Sequence, residues 1–221
     1  MLSQEGARVL TVARRGADLE LDLTRADAAE RVLDACPKTP WALVNSAGAS
    51  QARPLEELTD ADWQAQWDLH VMAPMRLMRA FAPRMAQAGG GRIVNLSSSS
   101  GKRPSSNLDA AYSVSKAAQL SLSRVFADLW AAEGVLVNAI APGPVEDELW
   151  TEPGGLADQI AARGGIDREE VLDSTRSKLP VGRMATPDEI AAAVVFLCSE
   201  RASNVSGASW SVDGGSVPVN F

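Results

Sequence analysis

Tyr112 and Lys116 stand four residues apart at the head of a helical stretch, in the run Tyr-Ser-Val-Ser-Lys. Four residues make just over one helical turn, so both side chains share one face. An ammonium beside a phenol favours the phenolate and draws the tyrosine pKa from about 10 toward neutral. A tyrosine so tuned can donate a proton to a forming alkoxide, or accept one in reverse. Tyr112 is the only tyrosine in the chain. Upstream, Ile93-Val94-Asn95-Leu96 runs into the four serines Ser97 to Ser100. A hydroxyl at the carboxyl end of a strand can bond a carbonyl there, because ligand sites in α/β proteins open at those ends. Downstream, Asn138 to Val145 reads as a strand ending in a rigid Pro-Gly-Pro turn. Further back, Asn45-Ser46-Ala47-Gly48 closes another strand with small residues that let a bound group approach the backbone.

These residues need strands and helices to bring them together, and the apolar pattern supplies both. Arg8 to Ala13 and Trp41 to Asn45 read as buried strands, and Leu19 to Leu23 alternates as a further one. Too few residues separate the first two strands for a helical crossover. Asp27 to Ala35 reads as a helix. Ala61 to Met85 reads as a long helix, bent or interrupted near Pro74 and ended by Gly89 to Gly91. Arg92 to Leu96 is the next strand, followed by a polar loop through Leu108. Ala110 to Glu133 is helical, Val135 to Ala141 a buried strand, Pro187 to Glu200 a helix and Ser209 to Asp213 a last strand. Near-continuous apolar strands alternating with helices predict a parallel sheet covered on both faces. Residues 145–180 are charged and weakly periodic, and predict a long excursion from the sheet, the usual form of a lid or binding loop.

Composition narrows the function classes. A length of 221 residues suits one domain, 1–221, with one sizeable core or at most two small ones. A net charge of −7 argues against nucleic acid as a partner, since phosphate binding needs clustered Lys and Arg. No apolar run reaches the roughly 18 to 20 residues of a membrane span, and the first residues lack a signal-peptide pattern, so a cytoplasmic protein is expected. Cys36 and Cys198 lie far apart and His70 is the sole histidine, so no metal site is expected.

In order and spacing, Asn45-Ser-Ala-Gly48, the serines after Ile93–Leu96, Tyr112-x-x-x-Lys116, Asn138–Gly143 and Val212-Asp-Gly-Gly215 resemble the short-chain dehydrogenase/reductase family. Gly182 to Ala191 is similar to that family's segment before its penultimate helix. The resemblance runs from about Gly6 to Gly215. It implies a Rossmann-type doubly wound parallel sheet in three layers, a nicotinamide cofactor, and hydride transfer between a carbonyl and an alcohol. Tyr112 would be the acid/base, and Lys116 would tune it and hold the nicotinamide ribose. Ser98 would polarise the substrate oxygen. Tyr112 follows Ser98 by fourteen residues, one more than the family leads one to expect, so Ser99 stays open as the alternative. The family's fourth catalytic position, an asparagine, falls on His70, which can still hydrogen-bond in a proton relay.

The resemblance also marks departures. The family opens with a strand, a glycine-rich turn and a helix that cradle the pyrophosphate. Ser3 to Ala7 resembles only the last turn of that helix, so the first strand and turn, about 20 to 25 residues of a ~30-residue unit, are lacking. A fragment with a misplaced start is expected ahead of a protein that truly lacks the loop. Asp147 stands where the family has a threonine that contacts the nicotinamide carboxamide, and an ionised aspartate accepts but does not donate.

Where the second strand normally ends in an acidic residue that repels a 2′-phosphate, Ala13 is followed by Arg14 and Arg15. That predicts NADP(H) in preference to NAD(H), with Asp22 near the adenine. The remaining cofactor positions are Asn45, Ala47, Gly48, Tyr112, Lys116, Pro142, Gly143 and Val145. The expected partner is a small-molecule carbonyl or alcohol, and the long helices, through which the family usually pairs, predict a homodimer or homotetramer. The alternative is a catalytically silent homologue serving as a binding or scaffold subunit.

Overall fold

The computed structural model describes residues 1–104 and 109–218. Its main sheet is parallel and four-stranded, in the order β3 (Ala42–Asn45), β4 (Gly91–Leu96), β5 (Val135–Pro142) and β6 (Ser209–Val212). Ahead of it, β1 (Val12–Ala13) pairs in parallel only with β2 (Leu19–Glu20), Val12 opposite Leu19. The five residues between these strands contain no helix; the Asp18 carboxylate ties the turn by accepting from the backbone amide and hydroxyl of Thr11. Both strands are shorter than their sequence pattern predicts.

Alternation along the central strands builds the three layers. Ile93 faces one side with Val135 and Val137, packed by Leu77, Met78, Phe81 and Met85 of α3 (Ala73–Gln87) and Phe126 of α5 (Ala110–Trp130). Val94 and Ile140 face the other side, under Val194, Leu197 and Cys198 of α9 (Pro187–Cys198). Burying side chains of this size contributes roughly 1.5–3 kcal/mol each. α1 (Ala28–Ala35) extends the first layer through Ala28, Ala29 and Val32. Start signals set the helix ends: Thr59 and Asp62 form a capping box on α2 (Asp60–Trp67), as Thr186 and Glu189 do on α9.

The long helix expected over 61–85, bent or interrupted near Pro74, is α2 and α3 joined by a π-turn at Asp68–Met72, where the Ala73 amide reaches back to the Asp68 carbonyl. Pro74 explains it. Lacking an N–H, it returns nothing to the His70 carbonyl, and the ladder widens by one residue. Two further differences concern loops. The polar stretch after β4 contains a short helix, α4 (Ser99–Lys102), and the rest of that loop, 105–108, lies outside the described residues. The excursion over 145–180 folds as α6 (Glu148–Thr151), α7 (Leu156–Gly164) and α8 (Arg168–Ser177). These close over a small core of their own, Ala157, Val171, Leu172, Leu179 and Met184. No described helix is long and apolar enough to cross a membrane.

Candidate active site

β3, β4 and β5 end side by side, and a cavity of about 570 Å³ opens above their carboxyl ends. Gly48 after β3, Ser97 to Ser100 after β4, Pro142 at the end of β5 and Gly143 to Val145 after it form its floor. Tyr112 and Lys116 of α5 form one wall, and Leu149, Trp150 and Leu156 of the excursion form another. Asn45 stiffens this end of the sheet from below. Its side-chain amide donates to Asn95 at 2.7 Å, and Asn95 donates to Ser123 of α5 at 2.8 Å. A buried polar chain satisfied in this way holds its members in one arrangement.

The register of α5 is fixed by three contacts. Asp109 caps it, its carboxylate accepting from the amides of Ala111 and Tyr112. Ser97 donates its hydroxyl to the Lys116 carbonyl at 2.8 Å. Gly101 of α4 touches α5 so closely that a Cβ there would lie 2.8 Å from the Lys116 carbonyl carbon. Ser97 is therefore engaged in structure, and the serine facing the Tyr112 phenol is Ser98, with Ser99 beside it on the cavity wall.

Electrostatics depart from the expected pattern. Burial pushes the Tyr112 phenol above its ordinary pKa, the facing Ser98 hydroxyl pulls the other way, and the Asp147 carboxylate adds to the rise. Lys116 does not draw it down. Its ammonium lies 5.8 Å from the centroid of the tyrosine ring and donates to the Leu96 carbonyl at 2.7 Å and to Gln119. Desolvation lowers Lys116 itself to about 7, so much of its charge is gone at neutral pH. The expectation of a lysine-lowered tyrosine is corrected on both counts.

His70, on the π-turn, is fully buried. Its Nε2 accepts from the Ala49 amide at 3.2 Å, so Nδ1 carries the proton toward Ser115 Oγ at 2.9 Å. Ser115 in turn donates to the Tyr112 carbonyl. Burial, with Lys116 nearby, holds His70 neutral with a pKa of about 3.

Of the residues singled out in the sequence, the fold brings Ser98, Tyr112, Lys116, Gly48, Pro142, Gly143 and Val145 onto the cavity wall. His70 sits directly behind it. Arg14, Arg15 and Asp22 do not line it, nor do Asn45 and Ala47. Asp22 is occupied with Thr24, while Arg14 lies near enough to favour its charge. Missed in the sequence were Ser115, Gln119, Asp109 and the apolar trio of Leu149, Trp150 and Leu156. Ordinary helix serines and glutamines carry no signal of such roles; only the Asp109 cap, one residue ahead of the helix, was readable in principle. Among the described residues no group of acidic, histidine and cysteine side chains is placed to hold a metal.

The chain matches a family model described as enoyl-(acyl carrier protein) reductase over residues 2–217. It is 37% identical over 177 residues to a D-threitol dehydrogenase of Mycolicibacterium smegmatis, covering 78% of this chain and 61% of that protein. It is 35% identical over 221 residues to a galactitol 2-dehydrogenase of Rhizobium johnstonii, covering 96% of this chain and 80% of that one. The fold superposes with a TM-score of 0.84 on L-sorbose reductase from Gluconobacter frateurii, solved with NADPH and L-sorbose, at 31% identity and covering 99% of this chain and 81% of that one. The chain thus spans between three fifths and four fifths of the length of these relatives.

Proposed function

The chain belongs to the short-chain dehydrogenase/reductase family of nicotinamide-dependent oxidoreductases, and on that premise we propose that it interconverts a carbonyl and an alcohol on a small polyol or ketose, with Tyr112 as the acid/base. One observation carries this reading: the Tyr112 phenol and the Ser98 hydroxyl face each other on the wall of a cavity at the carboxyl ends of the strands. Relatives named for galactitol, D-threitol and L-sorbose support the substrate class. Ser98 donates a hydrogen bond to the substrate oxygen, and Tyr112 gives that oxygen its proton in reduction or removes it in oxidation. His70, through Ser115, holds the turn of α5 that carries Tyr112.

The residues present fit the nicotinamide end of the cofactor. The backbone at Gly48 leaves the floor open, where a Cβ would stand 3.4 Å from His70 and 3.7 Å from the Lys116 ammonium. Lys116 would hold the ribose, and Pro142, Gly143 and Val145 would carry the ring. When bound, the nicotinamide supplies or accepts the hydride. Arg14, with Arg15 beside it, favours NADP(H), because an exposed guanidinium fork after β1 suits a 2′-phosphate and no carboxylate occupies that position.

The test is turnover of L-sorbose with NADPH, and of galactitol with NADP⁺, by the chain and by Tyr112→Phe. The reading expects the variant to fold normally and to lose roughly 10²–10⁴-fold in rate. Full activity of the variant would overturn it.

A further inference from the structure

The cavity wall carries many hydroxyls and very little charge. Ser46, Ser50, Ser98, Ser99 and Ser100 line it, and the Ser50 hydroxyl is buried without a partner among the described residues. The charged side chains on the wall, among the described residues, are Lys116 and Asp147. Lys116 is 3% exposed and its ammonium is spent on Leu96 and Gln119. Residues 105–108 and 219–221 carry no charged side chain in the sequence. A phosphate or carboxylate on a substrate would therefore meet no guanidinium or free ammonium side chain. It would meet Asp147.

Asp147 is fixed in place. It is the N-cap of α6, its carboxylate accepting from the Trp150 amide at 3.3 Å, and its own amide bonds the Val145 carbonyl. It is close enough to Tyr112 to act on the phenol. Building on the oxidoreductase reading, we propose that Asp147 is the residue that sets substrate class: it admits uncharged polyhydroxylated substrates to the Ser98–Tyr112 pair and rejects their phosphate- or carboxylate-bearing counterparts. The serine hydroxyls recognise a neutral polyol by exchanging water bonds for protein bonds. An anion at the same place is desolvated opposite a like charge, and the cationic side chain that lines the cavity among the described residues, Lys116, is engaged with Leu96 and Gln119. Two like charges several ångströms apart at a half-buried wall disfavour binding on the order of tenfold at physiological salt.

The test compares ratios between compounds at saturating NADP⁺, because Asp147 also stands at the nicotinamide carboxamide position and acts on the Tyr112 phenol. Asp147→Asn keeps an N-cap acceptor and removes only the charge, so α6 should form as before. The experiment is calorimetric binding of sorbitol, sorbitol 6-phosphate and gluconate to the full chain and to Asp147→Asn with NADP⁺ present, together with kcat/KM for the same three compounds. The expected result is a preference for sorbitol over both anions of about tenfold, which shrinks severalfold in Asp147→Asn. An anion bound as well as sorbitol by the unaltered chain overturns the proposal, as does a preference that Asp147→Asn leaves intact, or no binding of any of the three. Discrimination in binding without turnover of any compound leaves the assignment of Asp147 standing and overturns the oxidoreductase reading instead.

Discussion

His70 Nδ1 lies 2.9 Å from Ser115 Oγ, and because Nε2 already accepts the Ala49 amide the imidazole donates in that bond. The ring thus joins the loop after β3 to the helix that carries Tyr112, whose ring it also meets edge-on at 5.4 Å between centroids. A neutral imidazole does this; an imidazolium would lose the Ala49 bond.

The pH consequence follows from the sign of the shift. His70 is held near 3 in the fold and returns to about 6.5 when unfolded. Between those values the unfolded chain binds the extra proton, so stability is lost as pH falls below about 6.5. Glu189, at about 2, and the other lowered carboxylates begin to matter only below about 4.5. Unfolding by urea between pH 5 and 6.5 should therefore show a steep loss in the unaltered chain and a shallow one in His70→Asn. Equal slopes in the two proteins would mean that the histidine is not held neutral.

Lys116 makes a second, opposite case. Its folded value of about 7 lies well below the unfolded value of about 10.4. Between them the unfolded chain holds the proton, so stability rises with pH from about 7 toward 9, above which tyrosine and cysteine ionisation intervenes. Lys116→Met should remove that rise, keep or improve the midpoint at pH 7, and abolish measurable turnover. A pH slope that survives the substitution would place the buried charge elsewhere.

The strands at 92–96 and 135–141 were legible because they are buried on both faces and largely apolar, and the half-buried edge strand at 41–45 because its run is apolar up to Asn45. Tyr112 and Lys116 were legible because their spacing matches the helical turn that presents both. Other features were set by contacts that sequence patterns do not carry. The π-turn depends on how Pro74 is accommodated between two packed helices, and a helix pattern of period 3.6 runs through it almost unbroken. The raised Tyr112 pKa could not be read from the Tyr-x-x-x-Lys spacing either. That spacing puts an ammonium nearby, but the Leu96 carbonyl and Gln119 decide where it points, and burial decides whether it stays charged. Arg14 and Arg15 suit a phosphate by their chemistry, and the fold places them off the cavity wall.

Assembly can be tested on exposed apolar side chains. Trp67 of α2 is 41% exposed, and Val125 and Leu129 of α5 are 53% and 64% exposed. Contact between α2 and α5 makes these two helices one layer. A second copy of the chain covering this face would bury them, and aromatic and aliphatic anchors of this kind dominate interface energetics. Light scattering at micromolar concentration should give a dimer or tetramer mass, and Leu129→Glu should lower it. A monomer mass for the unaltered chain would remove this face from consideration.

The proton chemistry of Tyr112 makes the last prediction. Reduction of a carbonyl needs the phenol protonated, and oxidation of an alcohol needs it ionised. Burial and the Asp147 carboxylate both hold the proton on, with only Ser98 opposing them. Lys116 has largely lost its charge above about 7, so it offers little counterweight in the alkaline range. The reductive rate should therefore stay level from pH 6 to 9, whereas the oxidative rate should climb about tenfold per pH unit over much of that range. Asp147→Asn removes one of the two influences holding the proton, so its oxidative profile should shift to lower pH with little change in the reductive plateau. Tyr112→Phe should flatten the oxidative profile and drop it roughly 10²–10⁴-fold. A reductive rate that instead declines with a midpoint near pH 7 would show that the lysine does tune the phenol in the working enzyme, and that the arrangement of Lys116 on Leu96 and Gln119 is not the one that catalyses.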